Sequence, residues 1–272
     1  MKSLEALKTD RTVFSIGQAL GDGWNLVSKF LGFYILGGVI AVVIAFGVGI
    51  IPFAGSLANN LLISPCLMGG AIYVTWQISK GNGWADFADM FKGFKYLQPI
   101  FISTLIQTAV TTLLSVVIFY NFLPQFIELY EKSQGVDAFT RQEQLGREFL
   151  RLFTGDFMIS LAILMVVLLF ISALWAFKTH FIIIYNMQAW PAMEMSRRIA
   201  RHNLWQLIGF FIVMGFIIII SAIPCGIGLL FTMPWLIGST YSAFAQITNC
   251  DQPDEVNAEM FDFMAGKKEE RS

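Results

Sequence analysis

Two long stretches of this chain contain no charged side chain: residues 30–79 and residues 202–250 include no Asp, Glu, Lys or Arg. Soluble domains carry about 25% charged residues. A charge near the centre of a lipid bilayer costs at least about 2.5–3.5 kcal/mol on insertion scales, so spanning segments exclude it. The two uncharged stretches therefore predict an integral membrane protein that crosses the bilayer several times.

The composition agrees with a membrane protein, since 56% of the residues are hydrophobic and 14% are charged. The net charge of −1 carries little information because the charges are segregated from the apolar stretches. The first residues lack a short apolar core followed by a small-residue cleavage site. We therefore expect the first spanning helix to act as its own insertion signal.

Six stretches are long and apolar enough for a spanning helix, which needs about 20 mostly apolar residues. They cover roughly residues 30–52, 57–79, 98–122, 157–179, 204–224 and 228–248. The fourth continues in apolar sequence to Tyr185, which would make it long or kinked near Lys178 and His180. The apolar runs are continuous, without the alternation typical of barrel strands, so the predicted fold is all-α.

Orientation follows from the basic residues, which favour the cytoplasmic side of a membrane. Six spans place both termini on one side, together with the 80–97 and 180–203 connections, and that side carries fourteen of the 18 Lys and Arg residues. The other four basic residues lie in the outer loop 124–156. The predicted location is the bacterial cytoplasmic membrane, with multiple passes and with the N and C termini in the cytoplasm.

The first and third helix pairs share a sequence pattern. Each outgoing helix ends in Ile-Pro, at Pro52 and Pro224, and each returning helix contains Pro-x-x-x-Gly, at Pro65 and Pro234. A proline ends a helix because it lacks the amide hydrogen and its ring clashes with the preceding turn. Both pairs run in the same direction, which indicates a parallel repeat about an axis along the membrane normal.

A short amphipathic segment precedes each pair, at residues 13–28, 84–95 and 190–203. Helices with one apolar and one charged face lie in the headgroup plane of a membrane. The predicted architecture is all-α integral membrane: six transmembrane helices as three hairpins, each preceded by a cytoplasmic interfacial amphipathic helix. Residues 1–250 form a single transmembrane domain, and residues 251–272 form an acidic cytoplasmic tail.

The C-terminal half carries a recognisable series of motifs. It reads Trp190-Pro-Ala-Met-Glu-Met-Ser-Arg-Arg198, then Asn203-Leu-Trp-Gln, then Pro224-Cys-Gly-Ile-Gly228, followed by Pro234 and Tyr241. These motifs resemble the YciC-like superfamily of six-helix bacterial membrane proteins, which includes the membrane domain of some glycerophosphoryl diester phosphodiesterases. The resemblance implies the six-helix fold and leaves the activity open. The catalytic domain of those phosphodiesterases is not part of this sequence.

Small and polar residues recur at helical spacing within the predicted spans. The predicted helix-packing residues are Gly37, Ala41, Ala45, Gly49, Gly69 and Gly238. Small side chains permit close approach of another helix, either from the same chain or from a second copy in a homo-oligomer. The polar intramembrane stripe consists of Ser103, Gln107, Thr111 and Ser115. We interpret the stripe as a source of stabilising hydrogen bonds between helices. The alternative is that it lines a substrate path.

Two surfaces are candidates for partners. The cluster Arg197, Arg198 and Arg201 is a candidate site for lipid headgroups, including anionic ones, and it also fixes topology. The outer loop 124–156 has an irregular apolar face, which either caps the bundle or docks a protein partner. Nucleic-acid binding is not expected, because the basic cluster is short and lies against the membrane.

No constellation of catalytic residues is evident in the sequence. The chain has 3 Cys and 2 His without the spacing of a metal site, so no cofactor and no metal are expected. His180 and Lys178 form the one conceivable catalytic pair. The predicted function is therefore a non-enzymatic lipid-interacting, scaffolding or accessory protein. The alternative is a transporter or permease for a small or amphipathic substrate.

Overall fold

A computed structural model describes residues 7, 12–51, 54–81, 86–132, 154–223 and 226–250 of the chain. Within these ranges the secondary structure is helical, without strands. The α-helices are α1 (Ile16–Ser28), α2 (Leu31–Gly49), α3 (Ala54–Ala58), α4 (Ser64–Ser79), α5 (Leu97–Phe119), α6 (Leu123–Lys132), α7 (Gly155–Leu174), α8 (Lys178–Ile184), α9 (Ala189–His202), α10 (Leu204–Ala222) and α11 (Leu229–Thr248). A π-helical turn, Asn59–Ile63, joins α3 to α4, and 3₁₀ segments occupy Phe87–Tyr96 and Tyr120–Phe122.

Five helical stretches in the described ranges are long and apolar enough to cross a membrane. They are Leu31–Gly49, Ala54–Ser79, Phe87–Gln125, Gly155–Ile184 and Leu204–Ala222. These stretches coincide with the first five predicted spans. The fourth stretch is interrupted between Leu174 and Lys178. The sequence predicted a long or kinked helix at this position. The chain is thus an all-helical protein with the helices of a membrane protein.

The sixth predicted span, residues 228–248, is helix α11, and it differs from the other five. It is not one of the stretches that are apolar enough to cross a membrane by composition. Its polar residues Thr232, Ser239 and Ser242 are buried against other helices. Because residues 238–248 of α11 are largely buried by protein, the surface of this part need not be uniformly apolar. A sixth crossing remains a prediction.

The described chain divides into two compact units: Met1–Leu105 with Ala173–Ser272, and Ile106–Ser172. The second unit contains most of α5 and α7. An aromatic cluster joins these helices, with the ring centroid of Phe157 5.4 Å from that of Phe119 and 5.3 Å from that of Phe122. Of the outer loop 124–156, residues 133–153 lie outside the described part, so its proposed partner surface is not tested there.

In the first unit, α1 runs antiparallel to α11. The backbone amide of Ser15 donates to Oε1 of Gln246 at 2.9 Å, while the indole Nε1 of Trp235 donates to the carbonyl of Leu20 at 2.9 Å. The two helices are closest at Gly23 and Gly238. A Cβ on Gly23 would lie closer than 3.0 Å to backbone atoms of Ser239. The glycines are therefore what permits this packing distance.

The segments before the other two pairs pack in a related way. Phe87–Tyr96 lies on α4, where a Cβ on Gly93 would collide with the carbonyl of Cys66. Helix α9 lies on α8, and the hydroxyl of Ser196 fills the break before α8. It donates to the carbonyl of Leu174 at 3.0 Å and accepts from the amide of Phe177 at 3.1 Å. Each segment thus packs on the returning helix of another pair.

This packing shows what covers the apolar faces of the three segments, while their interfacial location stays a prediction. Residues 13–28, 84–95 and 190–203 contain short helices as predicted, but the apolar faces meet protein. On α1 the buried residues are Ala19, Gly23 and Val27, spaced four apart along one face. On α9 the buried face includes Met193 and Ile199. Helical periodicity identifies a buried face without identifying the surface that covers it.

The turns of the first and third pairs match at one position. A Cβ on Gly55 would collide with the carbonyl of Val48, and a Cβ on Gly228 would collide with the carbonyl of Ser221. In both turns the glycine follows the carbonyl by seven residues. The prolines at positions 52 and 224 lie outside the described residues. The glycine contacts add a structural likeness to the repeat seen in the sequence.

Candidate functional site

A cleft of about 600 Å³ lies in the first unit, between α1, the end of α4 and the second half of α11. Its walls mix charged, polar and apolar side chains. The lining residues are Asp22, Leu26, Lys29, Phe30, Ile78, Ser79, Gly81, Tyr241, Ser242, Ala245, Gln246 and Asn249. We refer to it as the polar cleft. Its mixed lining suits a ligand with both polar and apolar parts.

Helix α1 and the residue after it supply one negative and one positive charge to the polar cleft. Asp22 and Lys29 are exposed, and neither is paired with another charged side chain in the described part of the chain. They stand seven residues apart, which is two helical turns, so they share a face with Leu26. A zwitterionic group would find a partner for each of its charges here.

A chain of hydrogen bonds joins the ends of α4 and α11 at the wall of the cleft. The Ser79 hydroxyl donates to the carbonyl of Trp76 at 2.8 Å, so the Tyr241 hydroxyl is the donor in its 2.6 Å bond to Ser79 Oγ. The thiol of Cys250 in turn donates to Tyr241 Oη at 3.6 Å. Trp76 closes the chain, since its Nε1 donates to the Cys250 carbonyl at 3.2 Å. These bonds fix the position of the Tyr241 ring beside the cleft.

Gln246 offers a second fixed polar group. Its Oε1 is held by the Ser15 amide, and its Nε2 is buried without a hydrogen-bond partner in the described residues. The orientation of the amide is therefore set by α1. A buried donor without a partner costs free energy on the order of 1–3 kcal/mol.

The rim of the cleft is formed by two left-handed residues. Gly81 follows α4 with φ 74°, and Asn249 follows α11 with φ 49°. Glycine and asparagine adopt this conformation with the least strain, and they commonly end helices. Both helices therefore end beside the cleft, and the left-handed residues that follow them are among its lining.

A second, smaller cavity of about 250 Å³ lies between α2, α4, the Phe87–Tyr96 segment and α11. Its lining is almost entirely apolar and includes Met68, Met90 and Met233. We refer to it as the apolar cavity. Gly37 and Gly38 form part of its wall on α2, and Pro234 forms part of its wall on α11.

The predicted lipid-headgroup residues lie on α9, away from the polar cleft. Arg197 pairs with Glu194, with 2.6 Å between Nη2 and Oε2, and Arg198 lies 3.9 Å from the same carboxylate. Arg201 is exposed. One carboxylate thus offsets part of the charge of the cluster. The contact of the cluster with lipid remains a prediction.

The predicted polar stripe is satisfied largely within its own helix. Ser103, Thr111 and Ser115 each donate to a carbonyl three or four residues earlier, at 2.8 to 3.0 Å. Gln107 has no side-chain hydrogen bond to the described residues. A link to another helix comes from the backbone: the carbonyl of Ser103 accepts from Lys178 Nζ at 3.2 Å. The stripe does not line the polar cleft or the apolar cavity.

The predicted helix-packing residues divide into two groups. Gly37 contacts Met90, Gly69 faces Ile100 and Ile183, and Gly238 meets Gly23. Ala41 lines the apolar cavity. Nothing lies within 4 Å of a Cβ built on Gly49, and Ala45 is half-buried. Gly37 and Ala41 of α2 therefore face protein, whereas the Cβ position of Gly49 has no neighbour within 4 Å.

His180 and Lys178 do not form a catalytic pair. Both are buried, but Lys178 donates to Ser103, and the His180 ring stacks on Phe244 with centroids 5.1 Å apart. Neither ring nitrogen of His180 has a hydrogen-bond partner among the described residues. Residues two apart on a helix do not face each other. No cluster of three or more His, Cys, Asp or Glu that could hold a metal occurs within the described ranges.

Sequence reasoning did not find the polar cleft. Two signals were available: the spacing of Asp22 and Lys29, and a glutamine twelve residues after the proline in both repeats, at Gln77 and Gln246. Neither signal shows that α1 packs on α11, which is what brings the lining residues together. Comparison with known proteins gives no matching protein-family model, no matching curated protein and no matching solved structure.

Proposed function

We propose that the chain is a non-enzymatic membrane protein that binds phospholipid headgroups in the polar cleft, and that it serves as a scaffolding or accessory protein of the membrane. One observation carries this proposal: unpaired charges of both signs line one cleft in a helical unit whose other helices expose apolar side chains. A phosphate would contact Lys29, and an ammonium group would contact Asp22. Exposed apolar helices keep the cleft beside the bilayer, where such headgroups are concentrated.

The orientation belongs to the same proposal. We place the protein in the bacterial cytoplasmic membrane, with six crossings and both termini in the cytoplasm, because most basic residues then lie inside. The polar cleft opens where α4 and α11 end, and this end is cytoplasmic in that orientation. The Arg197, Arg198 and Arg201 cluster would lie on the same side and would add contacts to anionic lipid.

Lipid titration followed by native mass spectrometry tests the headgroup site. The protein in mild detergent is titrated with phosphatidylethanolamine and, separately, with phosphatidylglycerol, which lacks the ammonium group. A basic side chain near the surface contributes about 1 kcal/mol, so Lys29→Gln weakens binding of both lipids about fivefold. Asp22→Asn weakens binding of phosphatidylethanolamine alone, because only this lipid presents a cation to the carboxylate.

Lys95→Gln is the matched control for charge, since Lys95 is exposed and lies outside the polar cleft. Its lipid binding should equal that of the unaltered protein. Equal affinity of all variants for both lipids would show that the headgroups bind elsewhere and would reject the proposal.

Transport of an amphipathic substrate is the second candidate function. The observation in its favour is the place of the polar cleft, between the returning helices of the first and third pairs. Vesicles that contain the protein and a fluorescent phosphatidylethanolamine distinguish the two functions. A transporter speeds the movement of the fluorescent lipid between leaflets, whereas a lipid-binding scaffold leaves the rate at that of protein-free vesicles.

A further inference from the structure

We propose that the apolar cavity holds an acyl chain of the same lipid whose headgroup enters the polar cleft. The inference rests on the proposed function and adds the part of the ligand that the cleft does not contact. It makes the two spaces one site for an amphiphile, with the headgroup at the end of α4 and α11 and the chain toward their middle.

The same three helical segments line both spaces in the same order. Going from the cleft to the cavity, α4 contributes Ile78 and then Ala71, and α11 contributes Tyr241 and then Ile237. At α2, Phe30 lines the cleft and Tyr34 the cavity. Each step is about one or two helical turns. The cavity therefore lies directly below the cleft along these helices, as the tail of a lipid lies below its headgroup.

The chemistry of the apolar cavity fits a hydrocarbon chain. Three methionines line it, and their flexible thioether side chains adapt to ligands of variable shape. Met68, Phe91 and Met233 are 36%, 39% and 44% exposed, so the cavity opens sideways between helices. A chain that leaves the bilayer through this opening exchanges one apolar environment for another, and no polar group is desolvated.

A buried hydrogen bond joins α2 to α4 at the wall of the apolar cavity. The Tyr34 hydroxyl lies 2.8 Å from Thr75 Oγ1, and both residues are buried. Because the Thr75 hydroxyl donates to the carbonyl of Ala71 at 2.7 Å, Tyr34 is the donor. We place the Tyr34 ring, which lines the cavity, in the partition between the cleft and the cavity, together with the buried side chains of Val27 and Val74. In the lipid-bound state this ring turns aside, and the chain passes through the partition.

Photo-crosslinking tests the position of the chain. The full-length protein is reconstituted in vesicles of phosphatidylethanolamine and phosphatidylglycerol that contain a phosphatidylethanolamine with a diazirine at mid-chain. After illumination, labelled peptides are mapped by mass spectrometry. Labelling is expected at Met68, Met90 and Met233. Because Met68 and Met233 are also exposed, Met90, which is 8% exposed, is the deciding residue. Labelling confined to exposed residues such as Phe46 and Ile219, with none at Met90, would overturn the inference.

Two glycines on α2 provide a blocking variant and its control. A Cβ on Gly38 or on Gly47 meets nothing within 4 Å, but only Gly38 lines the cavity. Gly38→Phe therefore adds a ring at the cavity wall, at a position where the Cβ meets no neighbouring atom, and it should lower labelling of the cavity residues at least tenfold. Gly47→Phe should leave that labelling unchanged. Equal cavity labelling in Gly38→Phe and Gly47→Phe would also overturn the inference.

The partition is tested by Thr75→Val, which removes the hydrogen-bond partner of Tyr34 at nearly constant volume. Labelling of the cavity should rise severalfold, and an unchanged or lower value contradicts the role of Tyr34 as the partition. Failure of the chain site is distinguishable from failure of the headgroup site. In the first case Lys29→Gln still weakens headgroup binding while the cavity stays unlabelled; in the second, Lys29→Gln has no effect on headgroup binding.

Discussion

At the residue scale, the hydroxyl groups show that the sequence does not determine which hydrogen-bond partner a serine or threonine takes. Ser103, Thr111 and Ser115 share the spacing of a polar stripe, yet each donates to a carbonyl of its own helix. Ser196 has the same side chain, but it bonds to the chain before α8. Serine and threonine can satisfy their hydroxyls in the preceding turn, so spacing alone does not identify a bond between elements.

Ser196→Ala should destabilise the protein more than a serine change in the stripe. The substitution leaves the Phe177 amide and the Leu174 carbonyl without this partner in a buried position, at a cost of about 1–3 kcal/mol. Ser115→Ala is the matched control, because its hydroxyl bonds to a carbonyl within the α5 helix. Unfolding curves in the same detergent measure both. A cost no larger for Ser196→Ala than for Ser115→Ala would contradict the bridging role.

At the element scale, the sequence predicted which helices exist better than what they contact. The five long apolar stretches were found because lipid imposes a composition that can be read along the chain. The short segments were also found, since one face of each is apolar. Their partners were missed because protein and lipid both cover an apolar face. The polar cleft was missed for the same reason, since it exists only when α1 packs on α11.

Alanine substitutions on α1 test this packing. Gly23→Ala places a methyl group against the backbone of Ser239, and overpacking of this kind costs about 1–3 kcal/mol. Gly21→Ala is the control on the same helix, where nothing lies within 4 Å of the new Cβ. It should stabilise the protein by about 0.5–1 kcal/mol, because alanine favours a helix more than glycine does. Chemical denaturation in detergent compares the two, and the α1–α11 contact is disproved if Gly23→Ala behaves like Gly21→Ala.

At the scale of the whole molecule, the described helices follow one rule of assembly. The segment before each pair packs on the returning helix of another pair: α1 on α11, Phe87–Tyr96 on α4, and α9 on α8. A small residue lies at each contact, namely Gly23, Gly93 and Ser196. Gly23 and Ser196 each stand eight residues before the first residue of the next long helix. The first and third pairs thus share a sequence repeat, and the second pair shares with them the packing of the preceding segment on a returning helix.

This rule bears on the number of crossings, because α11 fills the same place in the third pair that α4 fills in the first. Helix α4 belongs to a stretch apolar enough to span, and α11 does not. If the position of a helix in the repeat determines whether it crosses, α11 crosses the membrane with its polar residues turned toward α1. If composition alone decides, the chain crosses five times and its C terminus lies outside.

Reporter fusions separate these outcomes. We expect green fluorescent protein at the C terminus of the full chain to fluoresce, and alkaline phosphatase at the same point to be inactive, because six crossings return the chain to the cytoplasm. Fusions that end at Ile223, after α10, should give the reverse pattern. Active phosphatase on the full chain would mean that α11 does not cross. In that case α4 and α11 would not both end in the cytoplasm. The proposed headgroup site, which lies where these two helices end, would then not lie at the inner surface of the membrane.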